Sequence, residues 1–168
     1  MGIKLLALDV DGVMTDGTIY YTAEGEEIKA FNAQDGMGIK FLRKAGIEVA
    51  VISGRNSRPL NKRLDDLGVK HRRLKCGNKV RALEEICAEI SCKLEDAAFM
   101  GDDLIDLQVM QAAGYALAPL NAVAEVKAVA HHVTKARGGE GAVREACEHI
   151  AALIGVRFVD LLDPENRL

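Results

Sequence analysis

Short stretches that are apolar on both faces recur along this chain, three of them leading into polar residues, and they restrict the possible folds severely. Ile3-Lys4-Leu5-Leu6-Ala7-Leu8 runs into Asp9, and Glu48-Val49-Ala50-Val51-Ile52 runs into Ser53. Ala97-Ala98-Phe99-Met100 runs into Gly101-Asp102-Asp103, and Tyr115-Ala116-Leu117-Ala118 forms a fourth stretch. A strand without a polar face must be covered on both sides, as central strands of a parallel sheet are by helices. Segments of helical periodicity lie between these stretches, over 36–45, 58–67, 79–90, 104–112 and 141–154. Gly46 and Gly68 each stand between a helix and a strand, where a left-handed C-cap is expected. This alternation predicts an α/β fold with a doubly wound parallel sheet. In such sheets ligands bind beyond the carboxyl ends of the strands.

One segment departs from the alternation. Thr18-Ile19-Tyr20-Tyr21, the turn Thr22-Ala23-Glu24-Gly25, and 26–31 read as a β-hairpin spanning 18–32. Tyr20 and Tyr21 read as hairpin and interface packing. With 168 residues the chain suits one domain. We place it at 1–154; the segment 155–168 loses periodicity and reads as a C-terminal tail whose order is open.

Three strand ends carry the chemistry. Asp9-Val10-Asp11-Gly12 sets two carboxylates two residues apart after an apolar strand, with a glycine for a sharp turn. Ser53-Gly54-Arg55 ends the second strand, and Gly101-Asp102-Asp103, with Asp106 close behind, ends the third. Lys79 opens a helix and supplies a fixed positive charge. Phosphate-ester hydrolysis uses such a set. A carboxylate can attack phosphorus and form an acyl phosphate, dividing one hard step into two. It faces an anionic substrate, so a cation must reduce the repulsion, and Mg²⁺ takes carboxylate, phosphate and water oxygens. Asp9 and Asp102 can supply the carboxylates. Asp11 is placed to protonate the leaving alkoxide and later to activate water. The Ser53 hydroxyl and the Lys79 ammonium can hold phosphoryl oxygens as charge builds. Asp9-Val10-Asp11-Gly12 alone is equally ordinary turn chemistry; its combination with Ser53, Lys79 and Asp102 favours catalysis. Asp106 reads as an orienting carboxylate rather than a ligand, and Asp16 as either a supporting or a turn residue.

Other function classes find less support. A net charge of −3 gives no electrostatic footprint for nucleic acid. No apolar run is long enough for a membrane span. The start MGIKLLALDVDG enters a strand without a basic region or cleavage site, so no signal peptide is expected. Cys76, Cys87, Cys92 and Cys147 form no CxxC pattern and read as reduced thiols, consistent with a cytoplasmic protein. His71, His131, His132 and His149 lack metal-ligand spacing and read as surface or strand-end residues.

In their order along the chain, Asp9-Val10-Asp11-Gly12-Val13, Ser53, Lys79 and Gly101-Asp102-Asp103-Leu104-Ile105-Asp106 resemble the four motifs of the haloacid dehalogenase superfamily. The resemblance implies a Rossmannoid core with Asp9 as nucleophile and Asp11 as acid/base. It also implies Mg²⁺ held by Asp9, the main-chain carbonyl of Asp11, and Asp102, with Asp103 as support. About 40 residues separate Asp11 from Ser53, and a hairpin and one helix use them. One helix and a short strand fill the interval from Ser53 to Lys79. No cap domain fits in either place. An open site needs another source of selectivity, and subunits closing one another's pockets would supply it.

From Leu5 to Glu148 the chain is further similar to the 3-deoxy-manno-octulosonate 8-phosphate phosphatases. The similarity rests on 9–21, 26–32, Asp35-Gly36, Ser53-Gly54-Arg55, 101–106 and 138–145. It implies a small sugar-acid phosphate as substrate and a place in lipopolysaccharide precursor synthesis. It implies a homotetramer whose hairpins assemble a central barrel and whose pockets are shared. Carried over by position, the substrate would meet Asp11, Asn32, Ala33, Gln34, Asp35, Gly36, Gly54, Arg55, Arg63 and Lys79. Guanidinium groups at Arg55 and Arg63 suit a sugar carboxylate. Arg137-Gly138-Gly139 would reach into a site. Arg55-Asn56 stands where relatives acting on nine-carbon acids tend to carry Glu then Lys, which favours the eight-carbon substrate. Two segments depart from the family pattern: Lys75-Cys76-Gly77-Asn78 replaces a frequent Gln-Gly and two polar residues, and Gln34 stands where a basic residue is common. A nine-carbon sugar-acid 9-phosphate phosphatase, a phosphotransferase with another acceptor, and a non-catalytic oligomerisation module remain the alternatives.

Overall fold

The structure is a computed structural model and describes residues 2–162. In chain order it runs β1 (Leu5–Leu8), β2 (Tyr20–Tyr21), β3 (Glu27–Ile28), α1 (Ala33–Lys44), β4 (Glu48–Ser53), α2 (Arg58–Asp66) and β5 (His71–Leu74). It continues through α3 (Lys79–Glu89), β6 (Ala97–Met100), α4 (Leu107–Ala112), β7 (Tyr115–Ala118), α5 (Ala124–Val129), β8 (His132–Val133) and α6 (Ala142–Leu153). Six strands form one parallel sheet in the order β5-β4-β1-β6-β7-β8. The chain winds outward from β1 to β5, crosses back through α3, and then winds the other way from β6. The switch in direction therefore falls between β1 and β6, where such sheets bind ligands.

The apolar stretches form the centre of the sheet because alternate residues enter two separate cores. Leu6, Leu8, Val49, Val51, Ala98 and Met100 pack beneath α1, α2 and α6, with Ile39, Leu42, Leu60, Leu64, Val143 and Ile150. Leu5, Ala7, Ala50, Ile52, Ala97 and Phe99 pack beneath α3, α4 and α5, with Leu83, Ile86, Val109, Met110 and Val126. The register pairs Leu8 with Val51 on one side and Met100 on the other. Asp9, the end of β4 and Gly101 consequently emerge at one level.

The helix expected from residue 36 begins at Ala33, because the Asn32 side chain caps it by accepting from the amides of Gln34 at 2.7 Å and Asp35 at 3.3 Å. The hairpin is present but pairs only Tyr20 with Ile28 and Tyr21 with Glu27. Gly46 and Gly68 take left-handed φ of 89° and 65°. Beyond residue 154, Phe158–Leu161 form a short turn that docks rather than trailing away. Phe158 stacks on Phe41 with ring centroids 5.2 Å apart, beneath the Arg144 guanidinium. The end of the expected tail, 163–168, lies outside the described residues. Among the described residues no cap domain interrupts the core, and no helix is long and apolar enough to cross a membrane.

Candidate active site

At the switch point the loop after β1 wraps tightly around one carbonyl. The amides of Val13, Met14 and Thr15 all donate to Val10 O, at 3.2, 2.8 and 3.1 Å. The buried Thr15 hydroxyl accepts from the amides of Gly12 and Gly17. Gly12 adopts φ +88°, which favours glycine, and a β-carbon there would lie 2.0 Å from Asp102 Oδ2, so any side chain would displace the Asp102 carboxylate. Asn121 ties this loop to a later one: its Nδ2 donates to Gly12 O at 2.9 Å, and its Oδ1 accepts from Gly138 N at 2.6 Å. A β-carbon on Gly138 would stand 1.9 Å from Gly12 O. Gly138→Ala is therefore expected to push the two loops apart, at a cost of about 1–3 kcal/mol. Thermal unfolding and phosphate release measured together would check this, and both should fall.

Asp9 is buried, and its Oδ1 accepts from Lys79 Nζ at 2.7 Å. The same ammonium donates to Asp106 Oδ1 at 2.6 Å. Asp106, wholly buried, uses its other oxygen to accept from the amides of Asp102 at 3.1 Å and Asp103 at 3.3 Å. Both Asp106 oxygens are thus engaged in holding Lys79 and the strand end, in keeping with an orienting role. Asp9, Asp102 and Asp106 offer carboxylate oxygens within 4.8 Å of one another. Lys79 pairs with Asp9 and Asp106, and Asp102, with Asp103 beside it, adds further negative charge that this one ammonium does not offset.

The acidities follow from this crowding. Burial raises Asp9 to about 6; Lys79 opposes the rise and Asp106 adds to it. Burial also raises Asp102 to about 7, with Asp9, Asp106 and Asp103 adding repulsion. Burial disfavours the charged Lys79, but Asp9 and Asp106 outweigh it and its pKa is raised. A hard divalent cation fits these donors. The Asp102 carboxylate and the Asp9 oxygen turned away from Lys79 could serve as its side-chain ligands, whereas the Asp106 oxygens are already used.

Cation binding should depend on pH accordingly. Protonation of Asp9 and Asp102 contributes stability to the cation-free fold below the ordinary value of 3.8, and that contribution is lost as pH rises through about 6 and 7. A cation replaces those protons. The Mg²⁺ concentration giving half-maximal thermal stabilisation should rise as pH falls below 7, by roughly tenfold per pH unit for each proton displaced. Constant Mg²⁺ sensitivity from pH 5 to 8 would contradict it.

A cleft of about 240 Å³ gathers Asp9, Asp11, Gly17, Ser53, Gly54, Arg55, Asp102 and Asp103. Ser53 is buried at the end of β4, its hydroxyl accepting from Arg55 N at 3.2 Å. Lys79 reaches the same centre through Asp9. The remaining expected substrate residues lie apart from this cleft within the chain. Asn32, Asp35, Gly36 and Arg63 line a separate small recess with Phe31 and Met14, while Ala33 and Gln34 are exposed on the first turn of α1. Arg63 donates to Asn32 O at 3.0 Å and lies over Phe31. Asp35 is buried and accepts from Arg144 N at 2.8 Å, serving the amino end of α6, which has no side-chain cap of its own.

Three residues at the site have no motif to announce them. Lys29 and Glu27, from the hairpin, reach Asp11 and Arg55. Asn121 bridges two loops distant in sequence. The paired glutamates and lysine in 26–29 were visible only as part of a family pattern, and Asn121 gave no signal.

Comparison with known proteins places this geometry in company. Residues 74–145 match the haloacid dehalogenase-like hydrolase family. The chain is 45% identical over 148 residues to the 3-deoxy-D-manno-octulosonate 8-phosphate phosphatase of Yersinia pestis, spanning 88% of this chain and 79% of that protein. It is 42% identical over 146 residues to the protein of the same name from Escherichia coli, spanning 87% and 78%. Among solved structures it resembles the Moraxella catarrhalis 3-deoxy-D-manno-octulosonate 8-phosphate phosphatase in complex with magnesium ion, phosphate ion and a KDO molecule. The TM-score is 0.87 at 40% identity, covering 90% of this chain and 87% of that one. The cobalt-bound enzyme from Haemophilus influenzae gives 0.89 at 42% identity, covering 92% and 90%.

Proposed function

The chain belongs to the 3-deoxy-D-manno-octulosonate 8-phosphate phosphatases within the haloacid dehalogenase-like hydrolases, and from that premise we propose that it hydrolyses this sugar-acid phosphate to the free acid and phosphate. The observation that carries the proposal is the buried Asp9–Lys79–Asp106 bridge, facing Asp102 at the switch point of the sheet. Its position and donor chemistry suit a carboxylate nucleophile held beside a cation.

In this reading the Asp9 carboxylate attacks phosphorus, and the bond to the sugar oxygen breaks as the acyl phosphate forms. Asp11 gives its proton to the departing alkoxide. Water then attacks phosphorus, Asp11 takes the water's proton, and Asp9 is released with phosphate. Ser53 and Lys79 hold the phosphoryl oxygens throughout. Asp9, Asp102 and the Asp11 main-chain carbonyl would hold Mg²⁺, which would supply positive charge to offset the repulsion between the carboxylate and the anionic substrate. Arg55, at the mouth of the cleft beside Gly54, is the ligand proposed for the sugar carboxylate.

We assign the catalytic unit to residues 1–154 and its working form to a homotetramer with shared pockets. The hairpin exposes Ile19, Tyr20, Tyr21 and Ile28, and Ile105 is exposed beside the cleft, which together make an apolar surface that a neighbouring subunit could cover. The recess holding Asn32, Asp35, Gly36 and Arg63 would then serve a neighbour's cleft. A cytoplasmic location belongs to the same proposal, since the four thiols suit a reducing compartment. The test removes the metal and weighs the particle. EDTA should abolish phosphate release from the octulosonate 8-phosphate, Mg²⁺ should restore it, and light scattering should give four subunits. Chelator-resistant turnover would overturn the mechanism; a monomeric mass in the active protein would overturn the shared pocket.

A further inference from the structure

A closed set of ion pairs joins Asp11 to the hairpin. The Lys29 side chain is only 4% exposed; its ammonium contacts Asp11 Oδ1 and lies 2.6 Å from Glu27 Oε1. Glu27 Oε2 lies 3.3 Å from Arg55 Nη2, and Arg55 Nε lies 3.6 Å from Asp11 Oδ2. Asp11, Lys29, Glu27 and Arg55 therefore form a ring. An ammonium taken out of water persists only when it is paired, and here both partners are carboxylates.

The fold itself has little use for this lysine. It belongs to neither hydrophobic core, and its hairpin neighbours Tyr20, Tyr21 and Ile28 are exposed. What Lys29 constrains is Asp11. A carboxyl that gives and takes protons must sit within hydrogen-bond reach of the atoms it serves, and its side chain is otherwise free to rotate. Arg55 is a weaker anchor: its contact is longer, its side chain is 42% exposed, and it is the group proposed to turn towards the substrate. Once it does, Lys29 is the contact that remains.

The geometry points to Lys29 as a positioning residue, one that holds the Asp11 carboxyl in line with the leaving oxygen and is itself fixed from behind by Glu27. The inference rests on the phosphatase reading above, in which Asp11 is the acid and base. Lys29 transfers no proton. Asp11 loses one as the ester bond breaks and the Asp9–phosphorus bond forms, and it regains one from water as that bond breaks.

The test uses three substrates: the octulosonate 8-phosphate, a glycerol phosphate and para-nitrophenyl phosphate. The parameter kcat/KM reports events up to departure of the leaving group, so it isolates the acid step. The nitrophenolate leaves without a proton, whereas both alkoxides need one. In Lys29→Met, kcat/KM should fall about ten- to a hundredfold on both alkyl phosphates, part of the ~10²–10⁴-fold that acid–base catalysis supplies, and change less than about threefold on the aryl phosphate. Lys29→Arg should recover most of the loss. Lys29→Gln, closer in polarity, should show the same ordering with a smaller fall. Equal loss on all three substrates, loss confined to the sugar acid, or no loss in either neutral variant would overturn the inference. Mg²⁺-dependent release absent from the unsubstituted protein would overturn the phosphatase reading itself, before any variant is compared.

Discussion

Asp9→Asn should abolish turnover, lowering phosphate release by roughly a thousandfold or more while the protein stays folded. The amide is nearly isosteric and can still accept from Lys79, so the bridge to Asp106 is weakened rather than broken. What is lost is the anionic oxygen that attacks phosphorus. Intact-mass analysis during turnover provides a second readout. The unsubstituted protein should show a phosphorylated fraction when hydrolysis is slowed, and the Asn variant none. Residual activity within tenfold of the parent would remove Asp9 from the role of nucleophile.

Lys79→Met should be the most damaging change to the fold among the site residues. Its side chain is 7% exposed and lies between Asp9 and an Asp106 with no exposure at all. Removing one partner of a buried ion pair costs about 3–5 kcal/mol, because the remaining charges lose their compensation. In the cation-free protein Asp9 is already raised to about 6 by burial, and Lys79 is what opposes the rise. Without it Asp9 should hold its proton further into the neutral range, and a protonated carboxyl is a poor nucleophile. Urea unfolding in EDTA should show the stability loss, and added Mg²⁺ should recover part of it. Activity should remain at least about a hundredfold down, since the phosphoryl contact is not replaced. Unchanged cation-free stability would mean that the bridge is not the structural centre of the site.

Much of this site could be read along the chain because strand ends are local features. Asp9, Ser53 and Asp102 each follow an apolar run, and parallel pairing of β1 with β4 and β6 brings the ends of those runs to one level. Lys79, at the start of α3, is likewise marked by the segment it opens. Elements whose burial is partial were harder to see. β5 reads His71-Arg72-Arg73-Leu74; it is the short strand expected in that interval, but its charges left its bounds unmarked, because it is an edge strand that pairs with β4 along one side only. β8 has two residues and α5 six, too few for periodicity to register. The docking of Phe158 depends on a single aromatic contact with Phe41.

The hairpin shows the same limit at the site. Its turn was legible, but the reach of Lys29 back to Asp11, 18 positions earlier, depends on how the hairpin tilts over the cleft. Nothing in the order of residues gives that tilt. The separation of the Asn32–Arg63 recess from the Asp9 cleft is also invisible in sequence, because positions carried over from a family do not say which pocket they serve. Asp35 illustrates the point: family position marks it for substrate, and its carboxylate accepts from the amino end of α6.

The most direct measurement is kcat/KM for Mg²⁺-dependent phosphate release from 3-deoxy-D-manno-octulosonate 8-phosphate, set beside a nine-carbon sugar-acid 9-phosphate and a neutral hexose phosphate. The expected result is a preference for the eight-carbon acid over both, lost when Arg55 is changed to Ala. Equal or greater efficiency on the nine-carbon acid would contradict the substrate assignment, and no release from any of the three would contradict the phosphatase assignment altogether.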